Sequence, residues 1–245
     1  MRRPSARITA AALCTALALG LTACDAFARS SGTPAPFAGL TGPEITDKAV
    51  AATRAATTVR LTVATESADG PVQAFVATGA RGACAGTFSL GTAGTMELVR
   101  ADGVVYTKSD EAMLRAAAAD RPAGNGGTDG DGKDAIGRLT GRWLTAPADD
   151  RRTAENLRYC DPRGLLDGIA STSATARVGG PTTVAGAPAL TLTGGTDEEE
   201  WTASVATKGP PHLLRMRVTD GTARALTVEF SAFGAPLTVR KPAVG

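Results

Sequence analysis

The sequence predicts an α+β domain, an antiparallel sheet with a few helices packed against it. Two observations predict it. Beyond residue 58 most of the chain alternates apolar and polar residues with a period of two, the mark of half-buried antiparallel strands. One clear helical pattern precedes these strands, and a few short ones interrupt them in the middle of the chain.

The helix comes first. Thr41 caps it, Pro43 sits in its first turn, and Glu44 stands three residues after the cap, the spacing of a capping box. Ile45, Ala49, Ala52 and Ala56 then share one face, so a helix is expected over about 42–57. The strands follow. Val59, Leu61 and Val63 alternate with Arg60 and Thr62; Val72, Ala74 and Val76 form the next pattern, Cys84 to Leu90 a third. Met96 with Leu98, and Val104 with Tyr106, make two more. Asp69-Gly70 and Asp102-Gly103 separate strand patterns and are strong hairpin signals.

The middle differs. Ser109-Asp110-Glu111 starts a short helix with Met113, Leu114 and Ala117 on its apolar face. Residues 121–133 are polar and glycine-rich, a loop by composition. Ile136, Leu139 and Trp143 suggest a further helix or turn, and Asp161-Pro162 opens another with Leu165, Leu166 and Ile169 inward. Strands return after Thr175: around Leu190 and Leu192, at Trp201 to Val205, at Leu214 to Val218, at Leu226 to Phe230, and last at Leu237 to Arg240. No change of composition inside 42–245 marks a second domain.

The N-terminus carries a different message. Met1 to Arg7 is basic, and Ile8 to Leu21 is an uncharged apolar run, the pattern of a secretory signal. The run is shorter than the roughly 18–20 residues a spanning helix needs. Its end, Leu21-Thr22-Ala23-Cys24, resembles the bacterial lipobox: an aliphatic residue, two small residues and a cysteine. The resemblance implies cleavage after residue 23 and a diacylglycerol on the Cys24 sulfur. It places the protein on the extracytoplasmic face of the cell membrane, held by its acyl chains. Residues 24–41, rich in Ser, Gly, Pro and Ala, then read as a flexible tether to a single domain over 42–245. The abundance of Arg, Ala and Gly suggests an actinobacterial genome.

Charge and composition exclude several functions. The formal charge is +2, with 26 basic and 24 acidic residues. Loss of residues 1–23 removes Arg2, Arg3 and Arg7 and no acid, so the mature charge is −1. Neither figure marks a nucleic-acid partner. A single histidine removes every site that needs two. That histidine, His212, follows a Gly-Pro-Pro turn, and no Gly-x-Ser-x-Gly elbow supplies a nucleophile, so no enzyme is expected. Asp129 to Asp134 looks like a calcium loop but has Lys133 at the fifth ligand position and no closing Glu; no metal or other cofactor is expected. Asp197 to Glu200 reads as a solvated acidic turn.

Cys14 falls within the signal. Cys84 and Cys160 remain in the exported part, an even count in a compartment that permits disulfides, and a pair is expected. Two free buried thiols, or a redox pair, are the alternatives.

Trp201, Leu214, Met216, Val228 and Phe230 would project from one side of a C-terminal meander. They form either plain core or the wall of a partly open apolar cavity. Periodicity does not separate the two.

The lipobox, the tether, one N-terminal helix and then an antiparallel meander are together similar to the envelope lipoproteins of the LprG/LppX type. Local echoes lie at Val184 to Leu190, Lys208 to Pro211, Leu226 to Ser231 with Phe233-Gly234, Leu237 to Val239 before Pro242, and Val104 to Lys108 after Asp102-Gly103. The resemblance implies a LolA-like half-barrel: a highly curved antiparallel sheet with a few helices on its concave side. It further implies non-enzymatic binding of an acyl-chain lipid or another apolar ligand. The alternative is an envelope interaction protein that presents a filled sheet to a protein partner.

Overall fold

The computed structural model describes residues 36–67, 70–119, 129–146, 154, 157–222 and 225–244. The signal segment, Cys14, the lipobox with Cys24, Asp69 and residues 121–128 lie outside them.

Helix α1 (Gly42–Ala55) leads into β1 (Val59–Ser67), β2 (Gly70–Thr78), β3 (Cys84–Leu90), β4 (Thr95–Ala101) and β5 (Val104–Ser109). Helices α2 (Glu111–Ala119) and α3 (Asp129–Leu139), the short β6 (Leu144–Ala146) and helix α4 (Arg163–Ser171) follow. The chain ends in β7 (Arg177–Val184), β8 (Ala187–Gly195), β9 (Glu199–Ala206), β10 (Leu213–Asp220) and β11 (Ala225–Ser231).

The 11 strands of the described residues belong to one antiparallel sheet in the order β6-β5-β4-β3-β2-β1-β11-β10-β9-β8-β7. Two meanders thus lie side by side, joined where β1 pairs with β11, Leu61 opposite Phe230. The outermost strands β6 and β7 do not pair with each other, so the sheet stays open as a half-barrel.

The faces follow the period of two. Val59, Leu61 and Val63, Ala74 and Val76, Met96 and Leu98, and Val228 and Phe230 point to one side and are buried. Helices α1 and α4 cover that side through Ile45, Ala49 and Val50, and through Leu166 and Ile169. The other face carries cross-strand ion pairs. Arg215 Nη2 donates to Glu229 Oε1 at 2.6 Å, and Lys108 Nζ to Glu97 Oε1 at 2.9 Å.

Local chemistry sets the boundaries. Thr41 and Glu44 form the capping box of α1. Gly42 lets the start of α1 touch the chain ahead of β7, since a Cβ there would lie 2.2 Å from the Ala176 carbonyl oxygen. Asp102 (φ 52°) and Gly103 (φ 78°) make the left-handed two-residue turn that joins β4 to β5. Within Ser109-Asp110-Glu111 it is Asp110 that caps α2: its Oδ1 accepts from the Met113 N–H at 2.8 Å. Cys84 on β3 is bonded to Cys160 ahead of α4, across 76 residues of sequence.

Four readings of the sequence need correction. Residues 129–133 are helical, the first turns of α3, rather than loop: Ala135 and Ile136 are half-buried, and α3 packs against α2, which overrides the low helix propensity of the glycines. Phe37 and Leu40, assigned to the tether, pack against the core instead. Leu237–Arg240 is not a strand. Ala232 (φ 51°) and Gly234 (φ 68°) turn the chain out of the sheet, and Thr58 holds the exit by donating to the Ala235 carbonyl at 2.6 Å. The fourth, at Leu214, belongs to the site.

Candidate functional site

Between α4 and one end of the sheet lies a cavity of about 470 Å³. The ends of β1, β8, β9, β10 and β11 form one wall and α4 the other. Its apolar surface comes from Leu165 and Ile169 on α4, Trp201 on β9, Met216 and Val218 on β10, and Leu226 on β11. Thr65, Glu66, Thr196, Glu199 and Asp220 supply polar groups, and none of the described lining residues is basic.

Glycines border this space. Gly164 and Gly168 stand four apart on the α4 face that lines the cavity, and a Cβ at either would meet nothing within 4 Å. Both glycines are exposed, so they stand at the rim of the cavity, while Leu165 and Ile169 line its apolar part. On the opposite wall Gly194 allows the Trp201 ring to lie against β8; a Cβ would come within 2.4 Å of the ring. The indole is held beside that contact, where Nε1 donates to Thr172 Oγ1 at 2.8 Å. Trp201 is thereby a rigid wall rather than a mobile lid.

The structure divides the five residues proposed for a cavity. Trp201 and Met216 line it. All four of Trp201, Met216, Val228 and Phe230 are buried in one core, but Val228 and Phe230 do not reach the cavity. Leu214 is displaced by a β-bulge. The register of β10 against β9 shifts between Leu213 and Arg215, so Leu213 takes the buried place and Leu214 turns away. The bulge is anchored by α1: the Leu213 N–H donates to the buried Thr53 Oγ1 at 2.9 Å. Strict alternation from Met216 backwards lands one residue late. Gly164 and Gly168 went unrecognised, although two glycines in a short helix with an otherwise apolar face are a legible sign of space.

The other candidates have structural surroundings. The His212 ring stacks on Phe233 with centroids 4.0 Å apart. Burial holds its pKa below the usual histidine value, partly opposed by a hydrogen bond to the Ala52 backbone. Asp197 to Glu200 are exposed at the start of β9. Among the described residues no group of three or more His, Cys, Asp or Glu side chains is placed to hold a metal ion. No helix of the described residues is long and apolar enough to cross a membrane.

Comparison with known proteins identifies the fold. No family model matches the chain, and no curated protein sequence does either. Among solved structures it is similar to LprF from Mycobacterium bovis, with a TM-score of 0.55 and 14% identity over 82% of this chain and 97% of that one. It is similar also to the Mycobacterium tuberculosis lipoprotein LppX, with a TM-score of 0.50 and 15% identity over 81% of this chain and 97% of that one. At such identities the likeness is one of fold: the chain has the open half-barrel of LprF and LppX.

Proposed function

We propose that this protein is an exported envelope lipoprotein that binds an apolar ligand between α4 and the half-barrel, without catalysing a reaction. The observation that carries this reading is the cavity itself. A volume of about 470 Å³ falls within the range of small-molecule sites, roughly 300–1,000 Å³. Its apolar wall is built by Leu165, Ile169, Trp201, Met216, Val218 and Leu226, with Gly164 and Gly168 bare of side chains at its rim. Burial contributes about 0.8 kcal/mol per methylene, so ten methylenes give roughly 8 kcal/mol before the costs of association. An acyl chain is the ligand that fits this chemistry. Residues 1–23 would direct export, Cys24 would carry the lipid anchor, and the first residues after it would tether the domain to the membrane.

Native mass spectrometry of the protein isolated from its host membranes, followed by solvent extraction, tests the reading. Acyl species that co-purify are expected. Absence of any such species, together with no uptake of added lipid, would overturn it.

One feature favours a protein partner as a second reading. On the outer face a groove of about 400 Å³ is lined by Phe75, Val99 and Trp143 with Arg60 and Glu97. Phe75 is 55% exposed there. Crosslinking in intact cells from a photoreactive residue at Phe75 should capture a partner if this face is an interface.

A further inference from the structure

A second cavity, also of about 470 Å³, lies at the opposite end of β1, where Val59 lines it while Thr65 and Glu66 line the apolar one. It is bounded by the C-terminal end of α1, the turn from Gly79 to Gly82 and the N-terminal end of α4. Four arginines line it: Arg54, Arg81, Arg100 and Arg163. The only carboxylate among the described lining residues is Asp161.

These charges are not balanced locally. Arg54 is ion-paired with Asp167. The side chains of Arg81, Arg100 and Arg163 have no hydrogen-bond or ion-pair partner among the described residues. Asp161 is engaged with backbone, its Oδ1 accepting from the Arg163 N–H at 3.1 Å. Three guanidinium groups against one carboxylate therefore leave a concentrated positive charge in a chain that is nearly neutral overall.

The backbone supports the same arrangement. Arg81 occupies the left-handed region (φ 57°), a conformation that costs a non-glycine residue about 1 kcal/mol or more and that marks functional sites when it persists. The Arg100 guanidinium lies against this turn, at contact distance from Gly82 (φ 72°). The N-terminus of α4 adds the positive end of the helix dipole, with Asp161 on its first amide and the later amides of the first turn left over. Planar guanidinium forks pair with tetrahedral oxyanions through two parallel hydrogen bonds.

We propose that this cavity binds a phosphate-bearing anion, held by Arg81, Arg100 and Arg163 at the N-terminus of α4. The site does not depend on the apolar cavity. The phosphate would come either from a lipid headgroup or from a small soluble anion, and the chemistry of capture is the same.

Isothermal titration calorimetry on the full chain in a neutral detergent tests this. One arm titrates inorganic phosphate. The other titrates mixed micelles of the same detergent carrying phosphatidylglycerol, with diacylglycerol as the phosphate-free reference. Binding in the first arm identifies a soluble anion, and binding in the second arm alone a headgroup. In either case Arg100→Gln and Arg163→Gln should each weaken binding about tenfold or more, as expected for loss of a charge-assisted pair. Arg217→Gln, exposed on β10 away from both cavities and the groove, should leave it unchanged. Arg163 is exposed, so its replacement spares the fold and Arg163→Gln alone must show the loss. No binding in either arm, or equal affinity in Arg163→Gln, would overturn the proposal.

Discussion

Replacement of Gly168 separates a ligand cavity from a loosely packed core. Gly168 lies inside α4, lines the cavity, and has open space where a side chain would begin. Gly168→Leu would place four carbon atoms in that space. They would exclude about four methylenes of a bound chain, at about 0.8 kcal/mol each, or roughly 3 kcal/mol in all. That corresponds to a loss of roughly 200-fold in affinity. The same substitution removes a helix-interior glycine and should stabilise the protein by about 0.5–1 kcal/mol. For a domain of this size that raises Tm by roughly 1–4 °C. Gly168→Ala is the companion variant, with the same gain in helix stability and little intrusion into the cavity. Binding can be followed by Trp201 fluorescence in a Trp143→Phe background, because Trp201 forms part of the cavity wall. The expected pattern is weaker binding of a fatty-acyl probe in Gly168→Leu, near-normal binding in Gly168→Ala, and raised stability in both. Unchanged affinity in Gly168→Leu would refute the placement of the ligand. A fall in Tm in both variants would refute the reading of the glycines as space rather than close packing.

Three further outcomes follow from the structure. Removal of the Cys84–Cys160 bond by double substitution to Ala should cost about 4 kcal/mol in the chain-entropy picture, given the 76-residue separation, and lower the denaturation midpoint; an unchanged midpoint would contradict it. Because burial lowers the pKa of His212, the unfolded chain takes up its proton at higher pH than the folded protein does. Stability should hold above the ordinary histidine value of 6.5, decline as pH falls below it, and level off below the folded pKa, with His212→Phe flattening the decline in a urea titration. Gly194→Ala should destabilise by roughly 1–3 kcal/mol, since its methyl group would overlap the Trp201 ring, and should shift the Trp201 emission; a neutral result would mean that the ring moves freely.

Much of this fold is legible in the chain because its signals are local. The capping box of Thr41 and Glu44 announces α1 within four residues. Asp102-Gly103 announces a tight turn because few residue pairs tolerate two successive left-handed conformations. Strand rhythm places Leu61, Val76, Leu98 and Phe230 on one face, and each is buried. Rhythm fails at Leu214, where an unpaired ladder amide finds Thr53 on a helix some 160 residues away. A bulge of that kind depends on a partner that no window of sequence around it contains.

The sequence by itself determined the class of the fold, the position of most strands along the chain and, Leu214 apart, the side of those strands that turns inward. Only the tertiary structure decided how the inward side is occupied: filled around Val228 and Phe230, open around Trp201 and Met216. The physical reason is that alternation records which side chains leave water, while a cavity depends on what stands opposite them. Here that is α4, which stands opposite β-strand ends far away in the chain and leaves a space between itself and them.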